Sequence, residues 1–170
     1  VALSQTFTYG IPNELSEKIG KGMRVIVQFG KRKLYSGLVY DLHNDEPEID
    51  NLKKIEDLID KKPLIDEIQL KFWDWMADYY MCTRGEILKA ALPSGLKLES
   101  ESRILINDSF DLHSLNAERL KSIYKIAGEN NGISVNDLSR KTRIKHIYSD
   151  LNLLIEKGAV ILEEKIKESS

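Results

Sequence analysis

Apolar residues follow two different patterns along the chain. From Met23 to Phe29 they are largely β-branched and nearly continuous, and an apolar, aromatic run resumes from Leu34 to Leu42. Gly30-Lys31-Arg32-Lys33 between them reads as a turn, so the spacing predicts a β-hairpin. Asp41 to Asn51 is acidic, holds Pro47 and reads as an exposed loop. Pro63 opens a new element at a position favoured in the first turn of a helix. Beyond it Ile65, Ile68, Phe72, Trp75, Met76 and Tyr79 recur at helical spacing, which predicts a helix with one apolar face. Gly85 is expected to break that helix. Glu86 to Leu92 then reads as a short second helix, stopped by Pro93.

Past the seam Pro93 to Ser102 the pattern changes. Arg103 to Asn107 reads as a short strand and Leu115 to Ala127 as a helix, with Leu120, Ile123, Tyr124 and Ala127 on one side. Gly128 and Gly132 are expected to end it. Ser134 is placed to cap a second helix running to Arg140, with Asp137 three residues on. Ile144 to Lys157 reads as a third helix that turns Ile144, Ile147, Leu151, Leu154 and Ile155 inward and ends at Gly158. Ala159 to Ile166 is a strand. Three helices, a tight turn between the last two and a strand straight after them make a winged helix-turn-helix. The strand Arg103 to Asn107, ahead of the first helix, is expected to pair with Ala159 to Ile166, giving a circularly permuted winged helix. The fold class is therefore α+β: a β-rich first domain with helices over residues 1–97, a linker at 98–102, and a winged-helix domain over 103–170.

Composition narrows the function. The chain has 170 residues, 42% of them hydrophobic, so a disordered tail is excluded. No apolar run approaches a membrane span, which makes a membrane role unexpected. The one cysteine, Cys82, leaves no internal disulfide and fits a reducing compartment. With no secretory signal, a cytoplasmic protein is the expectation. The chain starts at Val1 without methionine and reads as part of something longer. A net charge of −2 excludes a globally basic nucleic-acid binder, so any anion site must be a local patch.

Two such patches stand out. Lys31, Arg32 and Lys33 sit at the hairpin turn beside Phe29 and Tyr35, and cations next to rings suit a strand whose bases stack. Phe7 and Tyr9 would face one way on an extended segment. The same residues also suit a sheet core and a soluble turn. In the second domain Arg140, Lys141 and Arg143 gather at the approach to the third helix, whose outward face would carry Lys145, His146, Ser149 and Asn152. Those cations would position phosphates, or the helix would serve protein contact. Enzyme chemistry finds little support. Gly20-Lys21-Gly22 lacks the first glycine and the magnesium-binding hydroxyl of a phosphate loop. His43, His113 and His146 are scattered, and one cysteine gives no zinc spacing. Asp74 and Asp78 share a helix face and read as solvated. No catalytic residue, metal or cofactor is expected in this chain, nor any ATP hydrolysis.

A set of ordered fragments resembles the N-terminal region of the bacterial primosomal protein N′ (PriA) family of replication-restart helicases. They are Thr6-Phe7-Thr8-Tyr9, Gly22 to Lys31, Gly37-Leu38-Val39, Leu52 to Ile55, Pro63-Leu64, Trp75 to Tyr80, Gly85 to Leu88 and Ala91-Leu92-Pro93. The resemblance implies that the first domain is a 3′ DNA-binding domain holding the 3′ end of the nascent leading strand at a stalled fork. By position it implies a 3′-end pocket of Phe7, Thr8, Tyr9, Gly30 and Lys53. The family often has Asp where Thr8 stands; the threonine keeps an acceptor oxygen without the charge. It also often has proline where Gln28 stands. The resemblance implies forked DNA with a free 3′ end as ligand, and single-stranded DNA-binding protein and other primosome proteins as partners. ATP, magnesium and zinc would belong to a helicase portion outside this chain. A protein-docking winged helix and a sequence-specific duplex regulator are the competing readings.

Overall fold

The computed structural model describes residues 5–30, 33–45, 51–93, 98–144 and 146–163. They form two compact units, residues 1–93 and 94–170, each with its own sheet.

The first unit is built on the expected hairpin. Strands β1 (Arg24–Phe29) and β2 (Lys33–Leu38) pair antiparallel from Arg24 with Leu38 to Phe29 with Lys33. A third strand, β3 (Ile55–Leu58), adds to the other edge of β1 with a bulge at Ile26/Val27, giving the order β2-β1-β3. It went unread because four residues, Ile-Glu-Asp-Leu, are too few to show a period. Val25 and Val27 pack with Leu15, Val39 and Ile55, and Tyr9, Ile11, Ile19 and Leu58 close over them. Arg24 is buried too, and its side chain is held by Asp60: Nη2 lies 2.5 Å from Oδ1, Nε 3.0 Å from Oδ2, and its backbone N–H donates to Oδ2 at 2.8 Å. A guanidinium tolerates burial when a carboxylate meets its planar fork in this way.

Helix α1 (Glu67–Tyr79) begins four residues after Pro63, not at it. Asp66 and Gln69 form a reciprocal capping box that fixes the start. Leu64 and Ile65 meanwhile donate to the carbonyl of Gly22, tying the approach to the foot of β1. Gly85 does not break the chain. The break comes at Met81, which takes a left-handed φ of 50°, and Thr83 with Glu86 then caps α2 (Arg84–Ala91), so that Gly85 lies inside it. The apolar stripe read on this helix does not, for the most part, face the core. Leu70 and Ala77 are the buried residues of α1, whereas Ile68, Phe72, Trp75 and Tyr79 are exposed. Asp74 is not a free solvated group either. It accepts from the Tyr40 hydroxyl and from Arg84 Nε, both at 2.5 Å, and so ties α2 and the end of the hairpin to α1.

The second unit is a winged helix. Strand β4 (Arg103–Ile106) lies between β5 (Ile133–Ser134) and β6 (Val160–Leu162). Ile104 pairs with Leu162 and Ile106 with Val160, antiparallel, so the strand before the first helix does close on the strand after the third. Helices α3 (Glu118–Glu129), α4 (Val135–Thr142) and α5 (Ile147–Glu156) bury Leu120, Ile123, Ala127, Val135, Leu138, Ile147, Leu151 and Leu154. Gly128 sits within α3 and does not end it. A Cβ there would come 3.2 Å from Ile106 Cδ1, so its smallness lets helix and strand approach. Ser134 caps α4 as expected, accepting from Asp137 N–H at 3.1 Å. Residues 98–102, read as a linker, are integrated into this unit: the carbonyls of Ser100 and Ser102 accept from Asn136 and Val135, both at 3.0 Å, and Leu98 is buried.

Candidate nucleic-acid interface

The hairpin end of the first unit gathers the residues that the sequence pointed to from three distant segments. Phe29 closes β1, and Gly30 follows with a left-handed φ of +71°, a conformation that glycine adopts without strain. Among the described residues nothing lies within 4 Å of where a Cβ on Gly30 would stand, so none of them covers that side of its backbone. The segment carrying Phe7, Thr8 and Tyr9 approaches along 53–55. Gly10 donates to the Lys53 carbonyl at 2.8 Å and accepts from Ile55 N–H at 3.0 Å. This bridge sets Phe7 edge-on against Phe29, with ring centroids 5.2 Å apart, and Phe29 in turn meets Tyr35 at 6.3 Å.

Each member is held differently. Tyr9 packs its ring on the core cluster and donates its hydroxyl to the Gln28 carbonyl at 3.2 Å. Burial raises its pKa, so the phenol stays protonated and remains a donor at neutral pH. Phe7 keeps 43% of its surface exposed, enough to offer a ring to a ligand. Lys53 donates from Nζ to the Gly30 carbonyl at 2.7 Å. An ammonium has three protons, so this bond fixes the head group beside the turn and leaves capacity for an anion. Thr8 is exposed between the two rings in sequence. Phe7, Tyr9, Gly30 and Lys53 thus meet around one turn, and Thr8 is carried there by its neighbours. The arrangement offers an apolar ring, an open backbone and a fixed cation, the groups that a nucleotide's base, sugar and phosphate require.

The remaining cations are less concentrated. Lys33 is exposed opposite Phe29 at the start of β2, while Lys31, Arg32 and Lys145 lie outside the described residues. In the second unit Arg140 pairs with Asp137 and Lys141 bonds to Asn130 Oδ1, so each would exchange a partner to meet a phosphate. The Ser134 hydroxyl and then Arg140 hold the Asp137 carboxyl below its ordinary range. Arg143 is exposed in a left-handed conformation at the end of α4. The third helix starts at Ile147 because His146 is itself left-handed, at φ 58°. Asn152, expected on the outward face, is buried and donates to Glu156 Oε1 at 2.8 Å. The sequence had also given no sign of Asp60 as the partner of Arg24. An arginine inside a β-branched run was the available signal.

The fold and the hairpin cluster define a two-unit chain: an α+β module with a nucleotide-sized set of groups at one turn, then a winged helix. The family model described as "3'DNA-binding domain (3'BD)", of PriA, matches residues 1–93, and one described as "Winged helix domain" matches 101–165. The chain belongs to the PriA 3′ DNA-binding domain family. Among similar proteins is the replication restart protein PriA of Bacillus subtilis, 32% identical over 110 residues, covering 65% of this chain and 14% of that protein. The protein of the same name from Haemophilus influenzae is 37% identical over 112 residues, covering 64% and 14%. That of Treponema pallidum is 28% identical over 130 residues, covering 72% and 20%. The matches therefore span only a seventh to a fifth of the length of these relatives.

Proposed function

We propose that this chain is the DNA-binding portion of a replication-restart helicase, and that its first unit holds the free 3′ end of the nascent leading strand at a stalled or abandoned fork. The observation that carries the reading is the meeting of Phe7, Tyr9, Gly30 and Lys53 around the hairpin turn. A terminal nucleotide differs from an internal one by a free hydroxyl and a missing phosphate. A shallow site can read that difference by shape, since a continuing strand collides with its wall. Phe7 offers the base a ring, with stacking worth roughly 1–3 kcal/mol. Gly30 lets backbone approach the sugar or base closely, Thr8 accepts from the hydroxyl, and Lys53 neutralises a nearby phosphate. The winged helix adds a secondary contact through Arg140, Lys141 and Arg143.

The rest of the reading concerns the longer protein. Its helicase portion would bind ATP, magnesium and zinc and unwind DNA 3′ to 5′, and this chain alone would turn over no ATP. Its partners would be single-stranded DNA-binding protein and other primosome proteins, so that the replicative helicase is reloaded. The setting would be the bacterial cytoplasm. Among the described residues no helix is long and apolar enough to cross a membrane.

Lys53→Ala tests the electrostatic part. Removing one phosphate contact should weaken binding to every strand and flatten the slope of log affinity against log salt by about 0.7 for single-stranded DNA. Titration of a labelled strand at several salt concentrations measures both. An unchanged slope would remove Lys53 from the interface.

A further inference from the structure

In a helix-turn-helix the recognition helix enters the major groove and reads base edges with polar side chains. Helix α5 holds that place in the second unit but is not built for the task. Of its ten residues, all among the described ones, only Glu156 is exposed. Ile147, Tyr148, Leu151, Asn152 and Leu154 are buried. Its polar groups are engaged within the unit. The Ser149 hydroxyl donates to the His146 carbonyl at 3.1 Å, and Arg119 Nε donates to Asp150 at 2.5 Å. Asn152 is tied to Glu156. The two carboxylates of the helix, Asp150 and Glu156, repel a phosphate backbone.

Two cations instead sit together on α4. Arg140 and Lys141 occupy its last turn and, with Asp137, line a cleft of about 590 Å³ whose remaining lining is Asn130 to Ile133, between α3 and β5. Lys141 reaches Asn130 Oδ1, and Arg140, with 71% of its side chain exposed, pairs with Asp137. An ammonium has three protons and a guanidinium five, so each has capacity for a phosphate besides its present partner. Gly132 has no side chain and, among the described residues, nothing lies within 4 Å of where its Cβ would stand. A sugar–phosphate chain can therefore pass close to the backbone there. The lining also selects between forms of DNA. Single strands are held on aromatic rings against which bases stack, and the residues lining the cleft include no ring. A duplex keeps its bases inside and offers the cleft its phosphates, which carry no sequence information.

We propose that the winged helix binds the sugar–phosphate backbone of duplex DNA in the cleft between α3 and α4, through Arg140 and Lys141, without regard to sequence and without placing α5 in the major groove. This rests on the secondary DNA contact assigned to the winged helix above, and is independent of terminus reading by the first unit.

The probe is a dumbbell duplex, closed at both ends by hexaethylene glycol linkers and so without a 3′ terminus, titrated by fluorescence anisotropy with the 170-residue chain. Two dumbbells of unrelated sequence should bind alike, where a base-reading helix separates sequences by roughly a thousandfold or more. Arg140→Ala with Lys141→Ala should weaken binding at least about tenfold and lower the slope of log affinity against log salt by about 1.8, two contacts at about 0.9 each. Asp137→Asn keeps an acceptor for the Ser134 hydroxyl but releases Arg140 from a carboxylate, and should tighten binding about twofold to fivefold. Ser149→Ala on α5 should change nothing. Circular dichroism confirms that each variant is folded. Binding unaffected by the double replacement would overturn the proposal, as would no tightening by Asp137→Asn. Dumbbells that bind only through Arg140 and Lys141 but differ by more than about tenfold in affinity, or lose binding on Ser149→Ala, would leave the secondary contact standing and overturn its mode. No binding to either dumbbell would remove both. The ratio of affinities for free and blocked 3′ ends reads the first unit and should survive the double replacement.

Discussion

Asp60→Ala should cost the first unit about 3–5 kcal/mol, the loss expected when one member of a buried ion pair is removed. Arg24 is 2% exposed and cannot swing to water without unpacking β1. Without Asp60 its guanidinium loses the Nε and Nη2 bonds to that carboxylate, and the backbone N–H of Arg24 loses its acceptor as well. A domain of this size has only about 5–15 kcal/mol in total, so the variant should be largely unfolded at modest urea. Both tryptophans, Trp73 and Trp75, lie on α1, so fluorescence in a urea titration follows the first unit selectively. The paired replacement of Arg24→Met with Asp60→Leu removes both charges together and should cost much less. If Asp60→Ala and wild type unfold at the same urea concentration, the pair contributes nothing to the fold.

Gly22→Ala should be nearly as severe, at roughly 3–5 kcal/mol. Gly22 has φ +78°, and a Cβ there would stand 1.7 Å from the Ile65 carbonyl oxygen. That neighbour is backbone and has no rotamer by which to withdraw. Relieving the overlap means separating the foot of β1 from the approach to α1. It breaks the bonds from Leu64 and Ile65 to the Gly22 carbonyl, and strains the bond from Gly22 N–H to Val39. The winged helix has its own core and should remain folded, so circular dichroism should fall only in part while preference for a free 3′ end is lost. Full retention of first-unit stability would mean that this junction is looser than its geometry.

These two positions show where the sequence was readable and where it was not. The β1–β2 hairpin was legible because β-branched runs flank a glycine-led turn, and the winged helix because three periodic segments follow one another, the second opened by Ser134 and the third closed before Gly158. The partner of Arg24 was not legible, since 36 residues separate it from Asp60 and only folding joins them. Periodicity found the stripe on α1 but not its direction. It shows that a face is apolar, not what that face meets, and the true anchors, Leu70 and Ala77, are modest residues between larger ones. Asn152 misled for the converse reason: a polar residue was assigned to solvent, yet a carboxylate one turn on satisfies it in a buried position. At the candidate site, the pattern alone marked Phe7, Tyr9 and the cations of the turn. The inclusion of Lys53 came from family resemblance, and the bond from its ammonium to Gly30 supplies the geometric reason.

The central claim is that the first unit reads a strand terminus. The direct measurement compares two forks identical except at the leading-strand 3′ end, one with a free hydroxyl and one extended by a bulky blocking group, each titrated with the chain at fixed salt. The proposed terminus-reading site predicts that the free end binds at least about tenfold more tightly, equivalent to about 1.4 kcal/mol. Thr8→Ala should leave that ratio in place and erode only the distinction between a 3′-hydroxyl and a 3′-phosphate. Equal affinity for the free and blocked forks would contradict the account, whatever the chain's affinity for DNA in general.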